Sequence, residues 1–305
     1  MQTPFFLAGA PKSGTSTLAR LLQQHKQIHI PSKKELFYFD FNYEKGFSWY
    51  SELFKGIKPD QLPGDCTPWY MSWPQAPERI ARTFPNAKII FILRDPVSRT
   101  WSHFWHDYRS LYLDLKCTPA SYLLSREDPR RIRACSYYGR QLSHWLTLFD
   151  PSQLMLVSTH WLSRDPAALC NSILSFLGLA ASKSWLRELP KERLMMGQRP
   201  RPWRVRQLAR LQSKLDGETF NKVSSLLRRH PKLHRRFFYH DGAMPIPSND
   251  RETLEKLYQE DQRQLQSLTG VDMTVHEGPV FINQSSSLIQ LTRKSTPKTS
   301  GHFAA

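Results

Sequence analysis

A chain of 305 residues that is 40% hydrophobic is long and apolar enough to bury a sizeable core, which excludes disorder as its ordinary state. Its 43 Lys and Arg against 26 Asp and Glu leave a formal charge of +17, which favours a polyanionic partner without choosing among acidic glycan, nucleotide, nucleic acid and membrane surface. The four cysteines, Cys66, Cys117, Cys135 and Cys170, stand at no zinc-like or CxxC spacing and are expected to be free thiols of a reducing compartment. No run approaches the roughly 20 apolar residues of a membrane span, and the N-terminus lacks a signal-peptide pattern. The expectation is a cytoplasmic protein without an integral membrane segment; a Golgi-lumenal one would need an anchor outside this sequence.

In chain order, Pro4–Gly9 has the length and β-rich composition of a buried strand, Gly9–Ser16 supplies small residues, and Leu18, Leu21 and Leu22 mark one face of a helix. A second unit runs from the strand-like Lys88–Leu93 into Asp95 and Pro96, a good N-cap followed by a good first helical residue. The helix behind it carries Val97, Trp101, Phe104, Trp105 and Tyr108. A helix face at Leu142, Trp145, Leu146 and Phe149 precedes a third strand, Gln153–Ser158, and another helix through Leu169–Leu177. Alternating strands and helices predict an α/β, P-loop-containing three-layer fold, a central parallel sheet flanked by helices.

From Arg204 the pattern is helical, with Val205, Leu208, Leu211 and Leu215, then Phe220, Val223, Leu226 and Leu227. Asn249 with Glu252 reads as a capping box for a last helix that stops near Gly270. No linker or repeat divides the chain, so residues 1–278 are expected to be one domain and 279–305, rich in Ser, Thr and Lys, a flexible basic tail.

Gly9-Ala-Pro-Lys-Ser-Gly-Thr-Ser-Thr17 sits where a parallel sheet offers a phosphate cradle of backbone N–H groups and a helix N-terminus. A Walker A loop wants Lys after Gly14; here Thr15 follows, and the loop's lysine, Lys12, comes two residues before that glycine. With hydroxyls at Ser13, Thr15, Ser16 and Thr17, the loop suits a single phosphosulfate better than a triphosphate with Mg²⁺.

The run PKSGTST resembles the 5′-phosphosulfate loop of the sulfotransferases that use 3′-phosphoadenosine-5′-phosphosulfate (PAPS), and Ile89–Ser102 resembles that family's strand-Arg-helix-Ser signature. The resemblance runs from about residue 4 to residue 275 and implies transfer of a sulfuryl group to a hydroxyl or amine, with no metal required. It assigns Lys12 to the leaving oxygen and Arg94 and Ser102 to the donor's 3′-phosphate. Arg94 suits that role as a planar charged fork. Lys33–Asp40 is similar to the segment holding the catalytic glutamate of glycan sulfotransferases of the heparan sulfate type, which makes Glu35 the candidate general base; a solvated charge beside two lysines is the other reading.

Many relatives carry a second Lys before a Thr-Pro pair, where Gly64-Asp-Cys-Thr-Pro-Trp-Tyr70 has Cys66. Relatives acting on small phenols use a histidine base in this region, and none lies between Gly64 and Tyr70, which strengthens the case for Glu35. His103 and His106 are alternatives, more in keeping with structural or solvated histidines. Tyr138 aligns with a nucleotide-holding tyrosine or is a core aromatic, and Arg199 or Arg201 is the candidate for a late basic loop over the nucleotide. The acceptor favoured is a carbohydrate, with peptide tyrosine, lipid and small metabolite as alternatives. A P-loop kinase is disfavoured by the displaced lysine, and a nucleic-acid partner is not expected, since no binding motif accompanies the charge.

Overall fold

The apolar run near the N-terminus forms β1 (Phe5–Gly9), buried at all five positions and placed in the middle of a parallel sheet. The computed structural model describes residues 1–33, 35–180, 198–200, 202–230, 239–241 and 244–282. Around β1, in the order β2-β3-β1-β4-β5, stand β2 (Ile28–His29), β3 (Leu62–Asp65), β4 (Ile89–Leu93) and β5 (Leu154–Ser158). Phe6 pairs with Asp65 on one side and Ile89 on the other, and β4 runs beside β5 from Ile89↔Leu154 to Leu93↔Ser158. Strands covered on both faces need no polar alternation, which is why β1, β4 and β5 read as continuous apolar runs.

The period of two is visible in which core each residue joins. Phe6, Phe91, Leu93, Leu154 and Leu156 pack into one layer with Tyr70, Trp145 and Leu265, while Phe5, Leu7, Ile90, Ile92, Met155 and Val157 pack into the other with Leu18, Leu22, Leu169 and Ile173. The helices supplying these layers include α1 (Thr15–Leu22), α2 (Gly46–Glu52), α3 (Ala76–Thr83) and, after α4 (Pro96–Arg109) and α5 (Pro119–Leu124), α6 (Tyr138–Leu146), α7 (Thr159–Arg164) and α8 (Pro166–Leu177). Strand β3, with the sequence LPGD, carries no strand signal. Its Gly64 is dictated by the neighbouring strand, since a Cβ there would lie 2.4 Å from the buried ring of Phe5.

The described chain divides into two compact units. The first comprises the described parts of Met1–Asp95, Tyr137–Leu189 and Gln259–Ala305 and contains the whole five-stranded sheet. The second, from Pro96–Ser136 and Pro190–Tyr258, holds α4, α5, α9 (Pro202–Lys214) and α10 (Gly217–Arg229), with β6 (Gln198–Pro200) antiparallel to β7 (Tyr239–Asp241). The last helix, α11 (Ser248–Thr269), begins one residue before the expected cap, so Asn249 lies inside it and its carbonyl accepts from Thr253 Oγ1. Gly270, at φ 75°, ends it as expected. Beyond it Val280 bridges Leu156 on the open edge of β5, and both Val280 and Ile282 are buried, so the packed chain continues past the boundary drawn at 278.

Candidate active site

Four loops leave the C-terminal ends of the adjacent strands β3, β1, β4 and β5. The connection after β1 leads to β2 at one edge and that after β4 to β5 at the other, so the switch point of this sheet lies between β1 and β4, where open α/β sheets present a ligand crevice. The loop after β1 holds Lys12 at φ 68° and Gly14 at φ 99°. Thr17 and Leu18 donate their N–H groups to the Gly14 carbonyl at 3.0 Å, and a Cβ on Gly14 would lie 3.0 Å from Leu162 Cδ2. That backbone and that space both call for glycine.

Ser13 and Thr17 are buried, and neither hydroxyl has a hydrogen-bond partner among the described residues. A buried hydroxyl left so costs about 1–3 kcal/mol, which the oxygens of a bound anion would offset. Thr15 is buried beside them and Ser16 is exposed, and the first turn of α1 carries no acidic side chain to neutralise its positive end. The loop therefore fits a phosphate-like or sulfate-like group.

Arg94, the first residue after β4, lies half-buried with Nη1 3.5 Å from the Lys12 carbonyl oxygen, so the two residues stand together at the switch point. Sequence reasoning missed Thr159, the first residue of α7. Its hydroxyl stands 2.6 Å from the Ser13 carbonyl and 3.0 Å from the Leu93 carbonyl, tying the loop to the end of β4. Ser102 lies half-buried on α4 and Arg199 on β6 opposite His240, both in the second unit; Arg201 lies outside the described residues. Tyr138, 1% exposed, is a core residue at the start of α6, whose first N–H groups are capped by Asp261: Gly139 and Arg140 each donate to its carboxylate at 2.9 Å.

Glu35 is half-buried at φ 66°, and Phe37 follows at φ 54°. A left-handed backbone at two non-glycine residues needs its surroundings to hold it. The holding groups come from the end of β3. Thr67 Oγ1 accepts from Leu36 N (2.9 Å) and Phe37 N (3.4 Å), and Tyr70 OH accepts from Tyr38 N (2.9 Å) and Phe39 N (3.4 Å). Both hydroxyls donate to the fully buried Asp65, at 2.6 and 3.0 Å, and Tyr50 OH adds a third bond at 3.2 Å. Burial pushes Asp65 up to about 6 against the pull of these three donors, so at neutral pH it is mostly a carboxylate. Burial pushes Asp40, at the far end of the segment, up to about 7, aided by Asp65 and opposed by the Phe41 N–H and Arg79.

Cys66, next to Asp65, faces the other way and is buried in the layer of Phe5, Leu22 and Ile28, so this position offers no cation. On the outer side of the Glu35 segment Phe41, 58% exposed, rests 4.7 Å from the ring of Trp73 and 6.3 Å from that of Trp69. In the second unit His103 is buried, with Nδ1 3.1 Å from Arg99 Nη1 and Nε2 3.8 Å from Asp107. Arginine only donates, so Nδ1 is the acceptor there, and Nε2 faces the Asp107 carboxylate from beyond hydrogen-bond distance. His106 Nδ1 lies 3.1 Å from the same carboxylate. Burial of Asp107 works against its charge, but His106, His103 and Arg130 together hold it below the ordinary carboxylate range. Both histidines thus pack against the buried Asp107 carboxylate.

Residues 2–203 match the model of the sulfotransferase domain family, and the chain belongs to that family. It is similar to a bifunctional heparan sulfate N-deacetylase/N-sulfotransferase 4 of Mus musculus, 27% identical over 83% of this chain and 32% of that protein. It is also similar to a membrane-associated sulfotransferase, kil1, of Dictyostelium discoideum, 41% identical over 33% of this chain and 22% of the other. The chain thus matches under a third of the length of either curated relative. A solved sulfotransferase from Alicyclobacillus acidocaldarius shares the fold, with a TM-score of 0.66, 22% identity, and coverage of 89% of this chain and 97% of that one.

The cytoplasmic placement drawn from the sequence does not hold. A relative carries membrane association in its name, and association with a membrane needs no spanning helix. Among the described residues no helix is long and apolar enough to cross a membrane, which assigns no compartment.

Proposed function

We propose that the chain transfers a sulfuryl group from PAPS to a hydroxyl or amine of a carbohydrate. The observation that carries the donor half is the loop after β1, where two buried, unpartnered hydroxyls, a helix N-terminus and Lys12 converge beside Arg94. PAPS supplies an activated sulfuryl group on a phosphate leaving oxygen. Ser13, Thr15, Ser16 and Thr17, with the N–H groups at Gly14 and the start of α1, hold the 5′-phosphosulfate, and Arg94 holds the 3′-phosphate; Ser102 and Arg199 are the further nucleotide ligands that the family resemblance implies. Tyr138 is read as packing behind the site.

Glu35 accepts the proton of the acceptor group as its oxygen or nitrogen bonds to sulfur, and Lys12 faces the charge that grows on the leaving phosphate oxygen. The products are the sulfated acceptor and 3′-phosphoadenosine-5′-phosphate. Carbohydrate is favoured by a relative named for heparan sulfate, by the +17 charge, and by Phe41 and Trp73 on the outer side of the Glu35 segment, where an aromatic face suits a sugar ring.

The test is transfer of labelled sulfate from PAPS to N-desulfated heparan sulfate, with a simple phenol and a tyrosine peptide in parallel. Incorporation into the glycan, lost in Glu35→Gln, is expected. Labelling of the phenol or peptide alone would overturn the carbohydrate assignment, and no transfer to any acceptor would overturn the donor assignment.

A further inference from the structure

We propose that Asp65, acting through Thr67 and Tyr70, is a positioning residue that sets the polarity of the hydrogen bonds holding the Glu35 backbone. The inference rests on the reading of Glu35 as the base, and it concerns how this chain keeps that residue at its strained φ of 66°.

A hydroxyl has one proton and two lone pairs. Thr67 and Tyr70 each spend the proton on Asp65, at 2.6 and 3.0 Å, which leaves both lone pairs of each oxygen for N–H groups. Those lone pairs receive four successive backbone donors, Leu36, Phe37, Tyr38 and Phe39, immediately after Glu35. Were either hydroxyl to donate elsewhere, its geometry toward the two N–H groups would change and a buried donor would lose its acceptor.

Only a group that accepts and does not donate enforces this arrangement, and a carboxylate is such a group. Tyr50 fills a further acceptor site on the same oxygen as Tyr70, so the three hydroxyls on Asp65 are all donors to it. The residue touches no reacting atom: it is fully buried, and two hydrogen-bond steps separate it from the Leu36 amide. Its effect on turnover would come from displacement of Glu35, and a shift of about 1 Å at a reacting group can cost roughly 100-fold.

The experiment is a double-mutant cycle between Thr67→Val and Glu35→Gln, with Thr67→Ser as the conservative control. Turnover is read as release of 3′-phosphoadenosine-5′-phosphate from PAPS, once with N-desulfated heparan sulfate and once with water as sole acceptor. Affinity for that product nucleotide is measured by calorimetry, and folding by thermal melting. Thr67→Val is expected to lower kcat by roughly 10- to 100-fold with nucleotide affinity unchanged within about twofold, Thr67→Ser to stay within about threefold of wild type, and Thr67→Val to add nothing in the Glu35→Gln background. If Thr67→Val does not fold, Tyr70→Phe takes its place in the cycle.

Wild-type turnover in Thr67→Val, an equal loss in Thr67→Ser, or a loss in the Glu35→Gln background as large as in wild type would each overturn the positioning role while leaving Glu35 as base. Unchanged turnover in Glu35→Gln alone would overturn the base and this inference with it.

Discussion

Replacing Asp40 with Asn should change how the stability of the chain depends on pH. Burial, with Asp65 adding to it, moves the Asp40 carboxyl from 3.8 to about 7 in the folded protein. A folded-state value above the unfolded one means that the fold binds the proton more tightly. This contribution to stability is therefore fully present below about pH 4, declines as pH rises, and is gone above about pH 7. About three pH units at roughly 1.4 kcal/mol each make a total near 4 kcal/mol, of which about 3 kcal/mol falls between pH 5 and pH 8.

Asn at 40 has no charge to bury, and its amide oxygen can still accept the Phe41 N–H that Asp40 Oδ1 accepts at 2.6 Å. Any fixed cost of the new NH2 group is the same at both pH values. Urea unfolding of wild type and Asp40→Asn at pH 5 and pH 8 should show the variant gaining about 3 kcal/mol relative to wild type across that interval, with relief of the neighbouring Asp65 acting in the same direction. A difference between the two proteins that stays constant within about 0.5 kcal/mol would refute the reasoning.

Gly64→Ala should lower stability by about 1–3 kcal/mol in the same assay, because the Phe5 ring that the new Cβ would meet is itself fixed in the core. Thr159→Val removes the hydroxyl next to the Ser13 and Leu93 carbonyls; nucleotide titration should show roughly fivefold weaker binding, about 1 kcal/mol, in a protein that melts as wild type does. Glu35→Gln should lower turnover by roughly two to four orders of magnitude and leave nucleotide affinity intact, whereas Lys12→Ala and Arg94→Ala should weaken nucleotide binding itself. Equal affinity in all three variants would sink the site assignment.

The layered fold was legible because β1, β4 and β5 are buried on both faces and announce themselves as apolar runs, and because Lys12, Gly14 and Arg94 sit on loops placed by those strands. Strand β3 was not, since Pro63 and Gly64 are there for neighbouring packing and carry no propensity signal. For the same reason the support of the Glu35 segment was invisible: Asp65, Thr67 and Tyr70 lie about thirty residues further along, and the parallel pairing of β3 with β2, the strand before Glu35, brings them beside it. A fully buried Asp in the motif Asp-x-Thr-x-x-Tyr at a strand end was the available clue. Tyr138 matched a family pattern and read equally as a core aromatic, and its side chain is buried at the start of α6.

The most direct test of the account is calorimetric titration of the purified protein with 3′-phosphoadenosine-5′-phosphate, with AMP and ATP plus Mg²⁺ as controls. The account predicts micromolar binding of the 3′-phosphorylated nucleotide, much weaker binding of the other two, and loss of the preference in Arg94→Ala. Equal affinity for all three nucleotides, or a preference that survives Arg94→Ala, would contradict it.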